Sequence, residues 1–136
     1  MKKNMKILAA AMLLILMLVS FIGCGGDEKI YWEGNVNEEF ADDKVIVVIS
    51  KDYTSKKFTL GDFDMINAVE LEWLSELSSK AYENKGGRWP ENFRQIYAVT
   101  IGDKGKQNVI DAIRELEKLS FVVSATPNYF HSIAEE

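Results

Sequence analysis

Residues 93–125 of this 136-residue chain read FRQIYAVTIGDKGKQNVIDAIRELEKLSFVVSA, and this stretch decides the fold. Aromatic and β-branched residues fill 93–101, which predicts a strand. Residues 106–119 predict an amphipathic helix, because apolar residues recur there every three or four positions. Residues 121–125 predict a last short strand. Pro127 cannot extend it as a paired central strand, because proline has no N–H to donate.

The predicted helix has an apolar and a charged side. Its inward stripe consists of Val109, Ala112, Ile113, Leu116 and Leu119. Its solvent face consists of Asp111, Arg114, Glu115, Glu117 and Lys118. This pattern predicts a helix that covers one face of a sheet.

Upstream of this stretch, Val45–Ile49 (VIVVI) predicts another strand. Residues 51–61 are polar and predict a loop, and 62–65 a short helical turn. The segment 66–74 fits two structures, because its apolar residues alternate as in a strand and also share one helical face. The alternating set is Val69, Leu71 and Trp73, and the helical set is Ile66, Val69, Trp73, Leu77 and Ala81.

The N-terminus has the pattern of a secretion signal, with a basic start at 1–6 and an apolar run at 7–22. The run ends in Phe21-Ile22-Gly23-Cys24, which resembles a bacterial lipobox with Phe21 in place of the usual leucine. The resemblance implies that residues 1–23 are a signal peptide and that Cys24 carries a diacylglycerol on its sulfur. An uncleaved membrane anchor and an ordinary signal peptide remain alternatives.

Residues 24–39 are predicted to be the lipidated cysteine and a flexible tether, because 25–38 (GGDEKIYWEGNVNE) is rich in glycine, asparagine and acids. A flexible coil of this length reaches about 20 Å, which keeps the domain close to the membrane. Tyr31 and Trp32 either dock on the domain or lie at the lipid headgroups. We therefore expect a lipid-anchored protein on the extracytoplasmic face of the cell membrane.

The charge balance excludes some functions. The chain has 16 basic and 21 acidic residues, and removal of Lys2, Lys3 and Lys6 with the leader leaves 13 against 21, a formal charge of −8. Such a chain is a poor candidate for nucleic-acid binding, which depends on Lys and Arg at phosphates. With one cysteine, it cannot form an internal disulfide or a multi-cysteine metal site.

No arrangement of residues predicts catalysis, a cofactor or a metal. The single histidine, His131, lies in the tail and has no Ser–Asp framework around it, so we expect it at the surface or facing a partner. Three pairs of carboxylates lie close in sequence, Asp42 and Asp43, Asp62 and Asp64, and Glu70 and Glu72. They lack the ligand count of a calcium loop and the apolar pocket that acid–base work needs. We expect a protein that is not an enzyme.

A family resemblance extends over residues 40–130 and rests on three pieces of sequence. These are FADDKVIVV at 40–48, NFRQI at 92–96 and ATPNY at 125–129. This region resembles the propeptides of subtilisin-like serine proteases and the related small protease inhibitors. The resemblance implies an α+β fold, a ferredoxin-like βαββαβ two-layer sandwich, and makes 69–73 a strand. Its first helix has only about 60–66 available, less than the family norm.

The resemblance also implies how the domain binds a partner. Val45–Ile49 is apolar on both sides, so the outer sheet face either contacts a protein or belongs to a central strand that tolerates apolar residues outward. In the family the segment after the last strand enters the protease cleft, so 131–136 is predicted to be a tail. The possible partner contacts are Tyr129, Phe130, His131, Ser132, Ile133 and Ala134. We expect inhibition or chaperoning of a subtilisin-like protease in trans, or else a structural or assembly lipoprotein of the cell envelope.

Overall fold

The computed structural model describes residues 27–83, 90 and 92–130. The strands are β1 (Phe40–Ile49), β2 (Ala68–Trp73), β3 (Ile96–Ile101) and β4 (Val122–Tyr129), and the helices are α1 (Glu76–Glu83) and α2 (Lys106–Glu117). The strands form one antiparallel sheet in the order β2-β3-β1-β4. The predicted α+β class is confirmed. Among the described residues, no helix is both long and apolar enough to cross a bilayer.

One face of the sheet, here called the inner face, packs against α2 and forms the core. Val45 and Val47 of β1 are fully buried there, together with Val109 and Ile113 of α2. Four residues of the predicted helical stripe are buried and Leu119 packs at the margin of the core. Each buried valine, isoleucine or leucine side chain contributes about 1.5–3 kcal/mol when it leaves water, so this layer contact stabilises the domain.

The connection from β1 to β2 contains no α-helix. It holds a 3₁₀ helix, Lys51–Tyr53, and a short 3₁₀ segment, Leu60–Ile66, which is kinked at Phe63 and includes the helical turn predicted at 62–65. Phe63 and Ile66 are buried on the inner face beside β2 and β3. The short helix therefore does the covering that a full first helix would do.

Within the ambiguous segment 66–74, residues 68–73 form strand β2, and the helical alternative is wrong. Leu71 lies opposite Val99 and Trp73 opposite Tyr97 in the pairing with β3. Leu71 and Trp73 thus pack against the core on the inner face, whereas Val69 lies at an irregularity of the pairing and is exposed.

The last strand is longer than predicted. It continues through Pro127, which lies opposite Val45, to Tyr129, which lies opposite Phe40. Because β4 is an edge strand, one side of its backbone has no ladder partner, and a proline is tolerated there. The predicted end of the strand at residue 125 is therefore wrong, although Pro127 does not lie in a central strand. At other boundaries β3 begins at Ile96 rather than 93, and α2 ends at Glu117.

Residues 27–39, predicted as a flexible tether, pack against the domain, and we call them the strap. Within it, the Ile30 N–H donates to the Val123 carbonyl at 2.9 Å, so the strap follows the outer edge of β4. Trp32 is 8 % exposed and packs edge-on against Phe40, with ring centroids 6.2 Å apart. A buried indole gives the strap enough apolar area to stay docked, which its polar composition does not suggest. Residues 24–26 lie outside the described residues.

Candidate partner-binding surface

The outer face of the sheet, on the side away from α2, carries an apolar strip. Its cross-strand rows are Glu70, Thr100 and Lys44, then Glu72, Ala98, Ile46 and Thr126, then Ile96, Val48 and Ser124. Ile46, Val48 and Ile96 remain half-buried, whereas Ala98 is covered by its larger neighbours. The strip therefore offers methyl groups at its centre and carboxylates on β2, a composition suited to a protein contact.

The edge strand β2 adds exposed apolar side chains beside this strip. Val69 is 55 % exposed and Leu74, which follows β2, is 46 % exposed. Glu70 and Glu72 point to the outer face between them and charge this edge, which is a common protection against unwanted strand pairing. Of the two edges, β4 is the one that the strap partly covers.

Of the predicted tail contacts, the structure describes Tyr129 and Phe130. Tyr129 belongs to β4, and its hydroxyl donates to Glu38 Oε2 at 2.6 Å and accepts from Trp32 Nε1 at 2.8 Å. Burial, with the neighbouring Glu38 carboxylate, raises the pKa of the Tyr129 phenol. Tyr129 is thus part of the domain, and its role as a partner contact stays a prediction. Phe130 is 65 % exposed.

The other predicted site residues lie outside the described residues. These are Cys24, the predicted lipid-attachment residue, and the tail residues His131, Ser132, Ile133 and Ala134.

A buried carboxylate at the end of α2 holds the strap, although the helical pattern predicts this residue on the solvent face. Glu117 is 7 % exposed, and its Oε1 accepts the Trp32 N–H at 2.7 Å. Arg114 pairs with Glu117 Oε2 at 3.1 Å and also donates to the Trp32 carbonyl at 2.7 Å. One turn of helix therefore binds both the N–H and the carbonyl of Trp32. The prediction that Glu117 lies on the solvent face is wrong.

The start of the strap is held by an ion pair that the sequence does not indicate. Asp27 accepts two hydrogen bonds from Arg94, at 2.5 and 3.1 Å, and a third from the Lys51 N–H at 2.8 Å. The hydrogen bond from Arg94, more than the opposing effect of burial, lowers the pKa of Asp27 to about 2. Lys29 adds hydrogen bonds of 2.6 Å to the carbonyls of Glu117 and Leu119.

Buried Gln95 organises the loop that follows β1. Its side-chain amide donates to the carbonyls of Tyr53, Thr54 and Lys56 at 3.2, 3.0 and 2.8 Å, and its oxygen accepts from the Tyr97 hydroxyl at 2.5 Å. Burial raises the pKa of the Tyr97 phenol. Gln95 is in the NFRQI piece of the sequence, but nothing there shows which carbonyls it satisfies.

The three carboxylate pairs have separate surroundings. Asp62 forms an ion pair with Lys56 at 2.7 Å, which lowers the pKa of Asp62, and also accepts the Thr59 N–H. Glu70 accepts from Thr100 at 3.2 Å on the outer face. Among the residues that the structure describes, no group of three or more His, Cys, Asp or Glu side chains is placed to hold a metal ion.

Comparison of the chain with protein-family models, with curated proteins and with solved structures finds no match.

Proposed function

We propose that the protein is a lipoprotein of the extracytoplasmic membrane surface, anchored through Cys24, whose domain binds a protein partner without catalysis. The observation that carries the proposal is the apolar strip of the outer sheet face. A two-layer domain buries one sheet face under its helices, and the opposite face is usually polar. Here that face carries Ile46, Val48 and Ile96, which are only partly buried, and this favours an interface.

The sheet supports a ferredoxin-like form of this domain. From one edge to the other the order is β4-β1-β3-β2, every adjacent pair is antiparallel, and α2 and the segment Leu60–Ile66 cover the same face. This is the arrangement expected of a βαββαβ sandwich whose first helix is reduced to a 3₁₀ segment. The shortened helix is the departure from protease propeptides.

The sharpest form of the proposal is inhibition or chaperoning of a subtilisin-like protease in trans. It would use the outer face as the docking surface and the tail from Phe130 onward as the extended, substrate-like segment. The position of Phe130 supports this use, because it is exposed at the point where the chain leaves an edge strand.

The alternative is a structural or assembly lipoprotein of the envelope. Such a protein needs the apolar strip and not the tail, so the two functions predict different effects of the same variants. The apolar strip favours both equally.

The test is a titration of residues 25–136 against a subtilisin-type protease, with two variants beside it. The first ends after Tyr129, which keeps the hydrogen bonds of Tyr129 to Glu38 and Trp32 intact. The second is Ile46→Thr, which places a hydroxyl in the strip on a residue that still favours strands. Inhibition lost in both variants supports the protease partner. No inhibition by the unaltered chain contradicts it, and chemical cross-linking in cells that depends on Ile46 and not on the tail then supports the assembly function.

A further inference from the structure

The strap connects the lipid anchor to the folded domain over a very short length of chain. Asp27 is the third residue after Cys24, so at most about 10 Å separates them. The Asp27 side chain is 4 % exposed and is bound by Arg94 and by the Lys51 N–H. An anchored Cys24 would therefore keep Asp27 within about 10 Å of the membrane attachment point.

The residues that bind Asp27 all lie at one end of the sheet, here called the anchor end. Lys51 follows β1 and Arg94 precedes β3. The Ser50 N–H donates to the Phe121 carbonyl at 2.8 Å, which brings the start of β4 to the same end. The opposite, distal end contains the start of α2 and Tyr129, the last residue of β4. Eight residues of β4 separate the two ends by roughly 25 Å.

The two ends differ in charge. The loop 51–57 at the anchor end reads KDYTSKK, three lysines against one aspartate, and Gln95 holds it in place. Lys56 is paired with Asp62, so Lys51 and Lys57 supply the remaining positive charge of the loop. Ile30 and Tyr31, exposed by 64 and 59 %, lie on the strap near this end. The acidic residues of the distal end are Glu38, Glu39, Asp42, Asp43 and Asp103, among Lys44, Lys104 and Lys106. Basic groups near a membrane surface are attracted to anionic lipids, and this attraction fades within about 8 Å at physiological salt.

We propose that the docked strap holds the domain upright on the membrane, with the loop 51–57 against anionic lipid headgroups and the distal end facing away. The proposal rests on lipidation of Cys24 and adds a second contact, made by the folded domain. The strands then run roughly along the membrane normal. The outer sheet face stands sideways and open, and Phe130 leaves the domain far from the bilayer, where a protein partner has access.

The experiment uses the full chain, acylated in bacteria and reconstituted into phosphatidylglycerol-containing vesicles that carry a headgroup quencher. Ser55→Cys in the loop and Gln107→Cys at the start of α2 are matched sites, both polar, uncharged and exposed. Acylation occupies Cys24, so each introduced thiol is the only one available for a fluorophore. We expect strong quenching of the label at 55 and little at 107. Equal quenching of the two labels overturns the proposal.

Two controls separate the parts of the proposal. Arg94→Gln should reduce the difference between the labels by loosening the start of the strap. Insertion of roughly 20 Gly and Ser residues before Asp27 gives the domain about 25 Å of reach, so in neutral phosphatidylcholine vesicles both labels should be quenched weakly and equally. If the full difference in quenching between the labels at 55 and 107 persists in either control, the strap does not orient the domain. Mass spectrometry reports acylation separately. An unmodified Cys24 overturns the proposed anchoring and this orientation with it, whereas an acylated chain with equal quenching overturns the orientation alone.

Discussion

Replacement of Trp32 by alanine tests whether the strap is an integral part of the domain. The indole is 8 % exposed, packs edge-on against Phe40, and donates to the Tyr129 hydroxyl at 2.8 Å. Truncation of a buried tryptophan to alanine typically costs about 3–5 kcal/mol. Tyr129 keeps its hydrogen bond to Glu38, so no buried hydroxyl is orphaned, and we expect the lower part of this range, about 3 kcal/mol.

The assay is urea unfolding of residues 25–136 followed by far-ultraviolet circular dichroism, because loss of an indole alters the fluorescence signal. Tyr31→Ala is the matched control, since it removes the neighbouring aromatic side chain, which is 59 % exposed. We expect it to change the free energy of unfolding by less than about 0.5 kcal/mol. A loss below about 1 kcal/mol for Trp32→Ala would refute the reasoning, because the strap would then contribute little more than an exposed segment.

Three further predictions concern the strap and the loop beneath it. Asp27→Asn should destabilise the domain by about 1–2 kcal/mol at pH 7. The pKa of Asp27 is lowered from 3.8 to about 2, and solvent around the partly exposed Arg94 screens part of this interaction. Because the folded-state pKa is lowered, this contribution is complete above pH 4 and disappears as the pH falls through 2, so unfolding curves of the variant and the unaltered protein should converge there. Gly34→Ala should expose the strap to limited proteolysis, because a Cβ would lie 2.2 Å from the Trp32 ring, whereas Gly61→Ala, with its nearest contact at 3.7 Å, should not. Gln95→Leu should lower stability by about 1–3 kcal/mol through unpaired carbonyls, measured by thermal unfolding, and an unchanged transition would contradict the role of Gln95.

The features that the sequence predicts correctly are those that local periodicity determines. The stripe of α2 follows from residues three and four positions apart, and all of them meet one sheet face. Strand β2 shows the limit of this reasoning, because 66–74 fits two periods and periodicity alone slightly favours the helix. Its pairing with β3 decides the matter, and pairing is a property of the whole sheet.

The features that local reasoning misses depend on long-range contacts. Glu117 looks like part of the solvent face of a helix, yet it is buried by the backbone of Trp32, 85 residues earlier. Pro127 looks like the end of a strand, but it is tolerated because the sheet order places β4 at an edge. The strap looks like a tether because its composition is polar, but the buried Trp32 ring and the ion pair of Asp27 with Arg94 dock it on the domain.

Tyr129 joins the two parts of the chain on which the proposed functions depend. Its hydroxyl holds Trp32 of the strap, and its backbone ends β4 immediately before the tail. A partner that bound the tail including Tyr129 would have to break the hydrogen bond between the Tyr129 hydroxyl and Trp32, and would expose the Trp32 ring. The segment open to a partner without this loss therefore begins at Phe130, and a variant that ends after Tyr129 separates tail binding from damage to the strap. Inhibition lost on removal of residues 129–136 alone would not distinguish these causes.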